Sequence, residues 1–193
     1  LNEIREIYAI LNGTSNYILS NMSKLKISFD DALKNAKDKG YAESDPTLDI
    51  NGEDSAHKLS ILNSIIFSEI PSFKSIHIKG IENIDLIDHH HSSEFGYNIR
   101  LIALSHITNN GVYKEVTPML VDKDSSLGRV DEANNIIKII GQESGDVVLE
   151  GQGAGEGPTA SSVISDLIDC AIGSKLHLFS KPHSELLHNI DKI

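Results

Sequence analysis

The 193-residue sequence predicts an α+β fold, in which helices pack on one face of a mixed β-sheet. Two long alternating segments, Asn98–Thr108 and Val112–Asp122, flank an Asn-Gly pair, which is the strongest short signal for an antiparallel hairpin. A helical pattern of apolar residues runs from about Asn51 to Phe67. Two shorter segments, Ile136–Ile140 and Val147–Leu149, predict a second strand pair around a glycine-bounded turn. Hairpin-linked strands mixed with helices are typical of the α+β class.

The composition is that of a globular protein of one domain or slightly more. The net charge of -11 argues against nucleic acid and anionic membrane as partners. No apolar run approaches the ~20 residues that a membrane span requires. The lone Cys170 excludes an intrachain disulfide framework, fits a reducing compartment and predicts a cytoplasmic location. The first residue is Leu1 and not methionine, which predicts that the chain is a fragment of a longer protein.

The chain opens with a predicted strand, Glu6–Leu11, followed by a turn at Asn12-Gly13. Thr14 is then expected to cap a helix that runs through Met22. A strand that ends at Gly-Thr and opens a helix leaves free backbone amides beside a residue without a side chain. Such a turn can bind a carboxylate or polar ligand. A plain strand-to-helix cap explains the same residues without any ligand.

The next predicted helix lies between a capping box at Ser28 and a helix stop at Gly40, and it leads the chain into an acidic loop. Further on, the pattern predicts a strand over Ser75–Lys79 and a helix over Ile84–Phe95. This helix contains three consecutive histidines, His89, His90 and His91. Because successive helix positions fan around the axis, their rings cannot converge on one ion, and no metal site is predicted.

The acidic segment Gly40–Lys58 is the centre of the sequence and reads GYAESDPTLDINGEDSAHK. Its carboxylates are Glu43, Asp45, Asp49, Glu53 and Asp54. The first half is predicted to be non-helical, since Asp45 precedes a proline and is therefore disfavoured in the α region. Asn51 is the expected N-cap of the long helix. Asp54 and Lys58 are four residues apart on that helix, so their side chains can pair.

The acidic segment offers a specific chemistry. A lysine held by a carboxylate stays protonated, and it can donate a proton to a carbonyl oxygen that becomes an alkoxide. The loop carboxylates Glu43 and Asp49 can hold an ammonium group of a substrate. The alternative is a solvated acidic loop with an exposed ion pair, which contributes little. His57 is expected to face away from its neighbour Lys58 because adjacent helix positions diverge.

A glycine-rich turn, Gly151–Gly157, follows a predicted strand and precedes a helix over Thr159–Ile172. Its spacing does not match the G-x-G-x-x-G dinucleotide fingerprint, because the third glycine would fall on Glu156 or Pro158. Close backbone packing before the helix accounts for these glycines. The tail after Pro182 predicts a final helix or a disordered segment.

Three segments in the same order resemble homoserine dehydrogenases. The segment Gly40–Lys58 resembles the glycine-tyrosine-x-glutamate-x-aspartate-proline loop of that family, with the aspartate and lysine that follow it. LNGTSNYIL at Leu11–Leu19 resembles its asparagine-glycine-threonine turn, and GQGAGEGPTASSVISD at Gly151–Asp166 resembles its glycine-alanine-glycine segment. The matches span most of the chain.

This resemblance implies an enzyme that interconverts L-aspartate 4-semialdehyde and L-homoserine with NAD(P), in threonine and methionine biosynthesis. It assigns Lys58 and Asp54 as catalytic residues, with Lys58 protonating the aldehyde oxygen and Asp54 orienting it. Glu43 and Asp49 would bind the substrate ammonium. Asp45 is expected to hold the loop.

The resemblance further implies that Gly13 and Thr14 shape the substrate pocket, and that Gly155 lies near the nicotinamide end of the cofactor. The cofactor would be bound mainly by a Rossmann-type domain outside this chain. Residues 1–193 would then be the catalytic, substrate-binding and dimerisation domain, without a regulatory domain, inactive alone and dimeric through the sheet. The alternative is a non-catalytic amino-acid-binding or dimerisation module of the same fold.

Overall fold

The computed structural model describes residues 3–68 and 70–173. The predicted tail after Pro182 lies outside these residues. In chain order, the strands and helices are β1 (Ile4–Ile10), α1 (Gly13–Leu25), α2 (Phe29–Asp38), α3 (Thr47–Ile50), α4 (Glu53–Phe67), β2 (His77–Ile78), α5 (Leu86–Glu94), β3 (Tyr97–Thr108), β4 (Gly111–Asp122), α6 (Ser126–Arg129), β5 (Asn134–Gly141), β6 (Gly145–Gln152) and α7 (Glu156–Ala171).

The strands form one mixed sheet in the order β2-β4-β3-β1-β5-β6. The central strand β1 pairs antiparallel with β3 on one side and β5 on the other, so that Ala9 lies between Ala103 and Ile137. The short β2 pairs with β4 in parallel, which makes the sheet mixed. Because β1 lies in the middle, the residues that follow it leave the sheet at its centre, where both halves of the chain meet.

The predicted hairpin is confirmed. β3 and β4 pair in one continuous register from Tyr97 with Asp122 to Thr108 with Gly111. Pro118 lies within β4, and a proline inside a strand is normally found at a sheet edge or a bulge. Since β2 pairs only with Glu115 and Val116, Pro118 lies on a part of β4 that no described strand borders on that side. Its missing N–H therefore costs no ladder hydrogen bond.

The main core lies between the sheet and helices α1, α2 and α4. Tyr17, Ile18 and Leu19 of α1 and Leu59 of α4 are at most 2% exposed and pack against alternate residues of the central strands. A smaller cluster, which includes Ile10, Ile102 and Leu127, lies under the one-turn helix α6 on the other face. The prediction of an α+β fold with a mixed sheet is confirmed, with α1, α2 and α4 packed on one face of the sheet.

Two helix starts differ from prediction. The cap of α1 is Asn12 and not Thr14, because the Asn12 side chain accepts a hydrogen bond from the Ser15 amide at 2.8 Å. The long helix α4 begins after Gly52 and not after Asn51, since Gly52 has a left-handed backbone with φ +87°. In both places two residues close in sequence could serve as the cap, and the helix begins after a different one from the residue that was predicted.

Two further segments also differ. The acidic segment contains one helical turn, α3, where a non-helical loop was predicted; residues 40–46, which precede this turn, are non-helical as predicted. The predicted strand Ser75–Lys79 is reduced to β2, because a 3₁₀ turn occupies Phe73–Ser75. The sheet edge is short there, so pairing along β4 ends after two residues.

The last two described elements are exposed on all sides. Every residue of β6 is exposed, including Val147, Val148 and Leu149. Helix α7 has no buried residue. It is an amphipathic helix with its apolar side chains uncovered. None of the described helices has both the length and the hydropathy to cross a bilayer.

The three consecutive histidines on α5 have separate environments. His89 is 3% exposed, and neither of its ring nitrogens has a hydrogen-bond partner among the described residues. His90 lies on the exposed side, with its Nε2 3.7 Å from Glu94. The described residues contain no group of three His, Cys, Asp or Glu side chains that could hold a metal ion.

His89 is expected to make stability depend on pH. Burial first, and then the charge of Arg100, lower the pKa of His89 from 6.5 to about 4, although Asp88 acts in the opposite direction. The unfolded chain takes up this proton at a higher pH than the folded chain does. The contribution of neutral His89 to the free energy of unfolding is therefore complete above about pH 6.5 and is lost as the pH falls toward 4.

Urea unfolding at about pH 7, 6 and 5 measures this contribution. The free energy of unfolding should fall more steeply for the unsubstituted chain than for His89→Leu, by at most ~1.4 kcal/mol per pH unit, the value for one proton. Equal slopes for the two proteins would show that His89 keeps an ordinary pKa in the fold.

Candidate active site

A cavity of about 600 Å³ opens at the end of the sheet where β1 runs into α1. All seven residues that the sequence singled out for catalysis, substrate binding or cofactor binding line this cavity. They are Gly13, Thr14, Glu43, Asp49, Asp54, Lys58 and Gly155. These residues come from parts of the chain more than a hundred positions apart, so the fold itself assembles them.

Lys58 lies on the second turn of α4 and is held by two acceptors. Its Nζ donates to Asp54 Oδ2 at 2.7 Å and to the Leu11 carbonyl at 3.1 Å. The Lys58 side chain is 48% exposed and the Asp54 side chain 30%. An ammonium group has three N–H donors. Two are occupied by the protein, and one remains for a ligand in the cavity.

Asn12 connects the two aspartates of the site, and sequence reasoning had treated it only as a turn residue. Its Nδ2 donates to Asp49 Oδ1 at 2.7 Å and to Asp54 Oδ2 at 2.8 Å. Its Oδ1 caps α1 through the Ser15 amide. Asn12 is 5% exposed, whereas the two aspartates that accept its bonds remain partly accessible from the cavity. Its position after the first strand, at the predicted Asn-Gly turn, was the only available signal for this role.

The acidic loop is held by local hydrogen bonds. Asp45 accepts from the hydroxyl and the amide of Thr47, and these two bonds lower the pKa of Asp45 below its ordinary value. Thr14 Oγ1 donates to the Tyr41 carbonyl at 2.6 Å, which ties the start of α1 to the loop. Asp45 does not line the cavity. This arrangement agrees with the prediction that it holds the loop.

Gly13 is needed for packing as well as for the cavity. A Cβ at this position would lie 2.6 Å from the carbonyl oxygen of Ala133, which is closer than such atoms approach. Next to it, Asn16 Nδ2 donates to the Glu132 carbonyl at 3.0 Å, with longer contacts to the carbonyls of Val130 and Asn134. The start of α1 is therefore pressed against residues 130–135, and this contact forms one wall of the cavity.

The cavity carries more negative than positive charge. Four carboxylates line it, those of Glu43, Asp49, Asp54 and Glu132, against the two ammonium groups of Lys39 and Lys58. Glu132 and Lys39 were not predicted as site residues, since neither stands in a recognisable motif. Such a lining favours a ligand that carries an ammonium group.

Asn135 was also missed by sequence reasoning. Its Nδ2 donates to the Leu11 carbonyl oxygen at 3.3 Å. The same oxygen accepts the hydrogen bond from Lys58 Nζ. Its Oδ1 is buried without a hydrogen-bond partner among the described residues, and the side chain lines the cavity. The environment of the Leu11 carbonyl, and through it the position of Lys58, therefore depends in part on Asn135.

His57 does not belong to the site. Its ring packs against Phe73, with ring centroids 4.5 Å apart, and it does not line the cavity. The prediction that His57 faces away from Lys58 is confirmed.

Comparison with known proteins identifies relatives over most of the chain. The family model for homoserine dehydrogenase matches residues 1–168. The chain is 44% identical over 170 residues to the homoserine dehydrogenase of Helicobacter pylori, and 39% identical over 170 residues to that of Neisseria gonorrhoeae. Each match covers 88% of this chain but only 40% and 39% of the relative. The chain thus spans about 40% of the length of these curated relatives.

Solved structures give the same result for the fold. The chain superimposes on a homoserine dehydrogenase from Staphylococcus aureus with a TM-score of 0.85 at 39% identity, covering 96% of this chain and 46% of the other. The Thiobacillus denitrificans enzyme gives 0.87 at 36% identity, covering 97% and 46%. A hyperthermophilic archaeal homoserine dehydrogenase solved in complex with NADPH gives 0.74 at 30% identity, covering 89% and 49%. The chain therefore belongs to the homoserine dehydrogenase family.

Proposed function

We propose that this chain is the substrate-binding and catalytic part of an NAD(P)-dependent enzyme that interconverts L-aspartate 4-semialdehyde and L-homoserine. The observation that carries the proposal is Lys58, held by Asp54 and the Leu11 carbonyl at the wall of a cavity with excess negative charge. The relatives are homoserine dehydrogenases, and the reaction would serve threonine and methionine biosynthesis in the cytoplasm.

Substrate binding follows from the charges of the cavity. Both compounds are amino acids, so each carries an ammonium group. Glu43 and Asp49 line the cavity with carboxylates that can accept its hydrogen bonds. Asp49 is already fixed by Asn12 at 2.7 Å, so its position does not depend on the ligand. Gly13 and Thr14 shape the adjoining wall, where a larger residue than Gly13 would displace residues 130–135.

Lys58 acts as the proton donor for the aldehyde oxygen. Its remaining N–H can point at the carbonyl oxygen, stabilise the negative charge that develops there and deliver a proton. In the reverse direction, the neutral amine accepts the hydroxyl proton of homoserine. Asp54 holds the ammonium group at 2.7 Å, and its negative charge favours the uptake of a proton from solvent by the neutral amine after each reduction. The Leu11 carbonyl prevents rotation of the amine away from the cavity.

The glycine segment fits a nicotinamide cofactor. A Cβ on Gly155, which has φ +113°, would meet only Pro158, whereas one on Gly153 would overlap the amide of Asn135. With Ala154 between them, this wall of the cavity consists of backbone and small side chains, which leaves room for a flat ring. When bound, the cofactor supplies a hydride in the reduction and accepts it in the reverse reaction.

Most of the cofactor would be held outside this chain, by a Rossmann-type domain of the longer protein. Helix α7 supports this assignment because it directly follows the glycine segment and exposes an apolar face. Val163, Ile164, Leu167 and Ile168 on this face are 53–63% exposed. An apolar stripe of this kind is normally covered by another domain or chain. We propose that the cofactor-binding domain covers it.

We also propose that the protein is a homodimer through the sheet. The support is β6, an edge strand with all residues exposed and with three apolar side chains, Val147, Val148 and Leu149, that are 41–61% exposed. An uncovered apolar edge strand tends to pair with another chain unless it is protected.

The chain alone should not oxidise homoserine. The chain mixed with a separately expressed homoserine dehydrogenase nucleotide-binding domain should do so. The reason is that this chain supplies the proton donor and the substrate carboxylates but only one wall for the cofactor. Homoserine-dependent reduction of NAD(P) measures the activity of the isolated chain and of the mixture. Turnover by the isolated chain would show that the cofactor is held here. An associated but inactive mixture would favour a non-catalytic amino-acid-binding module.

Replacing the proposed proton donor should abolish most activity. In the full-length protein, Lys58→Ala should lower kcat about a hundredfold or more, because proton transfer by a positioned group contributes at least that much. The control is Lys34→Ala, an exposed lysine on α2. Its kcat should stay within about twofold of the parent. If Lys58→Ala keeps normal kcat with intact folding, Lys58 is not the proton donor.

Asn12→Asp separates the two roles of Asn12. An aspartate keeps the cap on α1, but it replaces an N–H donor with a third carboxylate beside Asp49 and Asp54. We expect kcat/KM to fall at least about tenfold, because the charge-assisted hydrogen bonds to Asp49 and Asp54 are both lost, with little change in thermal stability from the cap itself. The control is Ser28→Ala, which removes the cap of α2 at a cost of ~1 kcal/mol and should leave kcat/KM unchanged. Equal losses in both variants would mean that only stability is affected.

A further inference from the structure

A second cavity, of about 400 Å³, lies at the C-terminal half of α1 and carries positive charge. Four cationic residues line it, namely Lys24, Lys123, Arg100 and Arg129, with Asp131 as the only carboxylate among the lining residues that the structure describes. We call it the basic cavity. The whole chain has a net charge of -11, so this concentration of cations is opposite to the average surface. Neither the proposed reaction nor its substrates use these residues.

Arg100 forms the inner wall of the basic cavity and is unusual in being 2% exposed. Its Nη1 donates to Ser20 Oγ at 3.1 Å and its Nη2 to the Gly128 carbonyl at 3.1 Å. Its nearest carboxylate oxygen is Asp131 Oδ1, at 3.4 Å. Nε is buried without a partner among the described residues. A buried guanidinium is normally matched by a well-placed anion, and here the match is incomplete.

The other groups that line the basic cavity do not neutralise the charge of Arg100. Asp131 Oδ2 is taken by Lys24 at 2.9 Å, so one carboxylate serves two cations. Lys123 Nζ donates to the carbonyl and hydroxyl of Ser93 at 2.9 and 2.8 Å, which satisfies hydrogen bonds but does not neutralise charge. Arg129 is exposed at the cavity rim. Burial lowers the pKa of Arg100, while Asp131 raises it, which fits a charge that is only partly compensated.

We propose that the basic cavity binds a phosphate group, either as inorganic phosphate or as a phosphomonoester. Guanidinium groups match the oxygens of a phosphate with paired N–H donors, and lysines add charge without geometric demands. The hydroxyl of Ser23 on the lining can donate a further hydrogen bond. The cavity is small and concave, in an acidic protein, so an isolated phosphate fits it and a nucleic-acid backbone does not.

Isothermal titration calorimetry of the whole chain tests the proposal, with inorganic phosphate and sn-glycerol 3-phosphate as separate ligands and sodium chloride at equal ionic strength as the blank. We expect one site with a Kd below about 1 mM for at least one ligand. In the double variant Lys24→Gln/Arg129→Gln the Kd should rise at least about tenfold, since each charge-assisted hydrogen bond to the phosphate contributes to the free energy of binding. Tighter binding of the ester would identify a phosphorylated metabolite as the ligand.

The matched control is Lys34→Gln/Lys138→Gln, which removes the same charge from other surfaces. Like Lys24, Lys138 is ion-paired, here with Asp146 at 2.7 Å. The affinity of this control variant for each phosphate ligand should stay within about twofold of that of the parent. A Kd above about 1 mM for both ligands, or equal weakening in both double variants, would overturn the proposal. Should the loss of the Lys24 ion pair perturb folding, Arg129→Gln alone repeats the comparison with Lys34→Gln alone.

Discussion

The geometry of the candidate active site depends on one amide group, the side chain of Asn12. Asp49 and Asp54 both lie within 2.8 Å of its Nδ2, so two carboxylates are held near each other in a partly buried place. Their repulsion is offset by the two N–H donors of Asn12 and by the charge of Lys58. Since the same side chain caps α1, the end of β1, the start of α1, the acidic loop and α4 meet at one residue. A carboxylate pair without this donor would separate and release Lys58.

Two close approaches between backbone segments make that junction possible. A Cβ on Gly13 would overlap the carbonyl of Ala133, and one on Gly80 would overlap the carbonyl of Ile50. The first contact joins α1 to the chain before β5, and the second joins α3 to the chain after β2. Gly52 adds a left-handed turn at φ +87° directly before α4. These glycines determine where the acidic segment lies relative to the sheet, and hence where Lys58 lies relative to Leu11.

Sequence reasoning succeeded where a local rule had no competitor. The Asn-Gly hairpin, the helix cap at Ser28 and the spacing of Asp54 and Lys58 each depend on neighbours within a few residues, and the structure agrees with them. It was wrong where two nearby residues could each satisfy the rule, as with Asn12 and Thr14. The outcome there depends on long-range contacts, such as the bond between Thr14 and the Tyr41 carbonyl.

The missed site residues have a different cause. Glu132 and Asn135 reach the cavity because β5 pairs with β1, and Lys39 reaches it because α2 ends beside the loop. No sequence pattern around these residues predicts that they lie close to the cavity. The lining of a cavity is therefore less predictable than its motif residues. Glu132 and Lys39 carry opposite charges, so they leave the excess of two carboxylates in the predicted set unchanged.

Helix α1 links the two charged cavities of the chain. Its first residues, Gly13 and Thr14, line the cavity with excess carboxylates, and its later residue Lys24 lines the basic cavity. Asn16, between them and fully buried, bonds the carbonyls of residues 130–134, the segment that contributes Asp131 to one cavity and Glu132 to the other. A side chain with no exposed surface and three carbonyl partners leaves this segment little freedom to shift alone. The two cavities, of opposite charge, therefore share one wall, which consists of α1 and the segment that Asn16 holds against it.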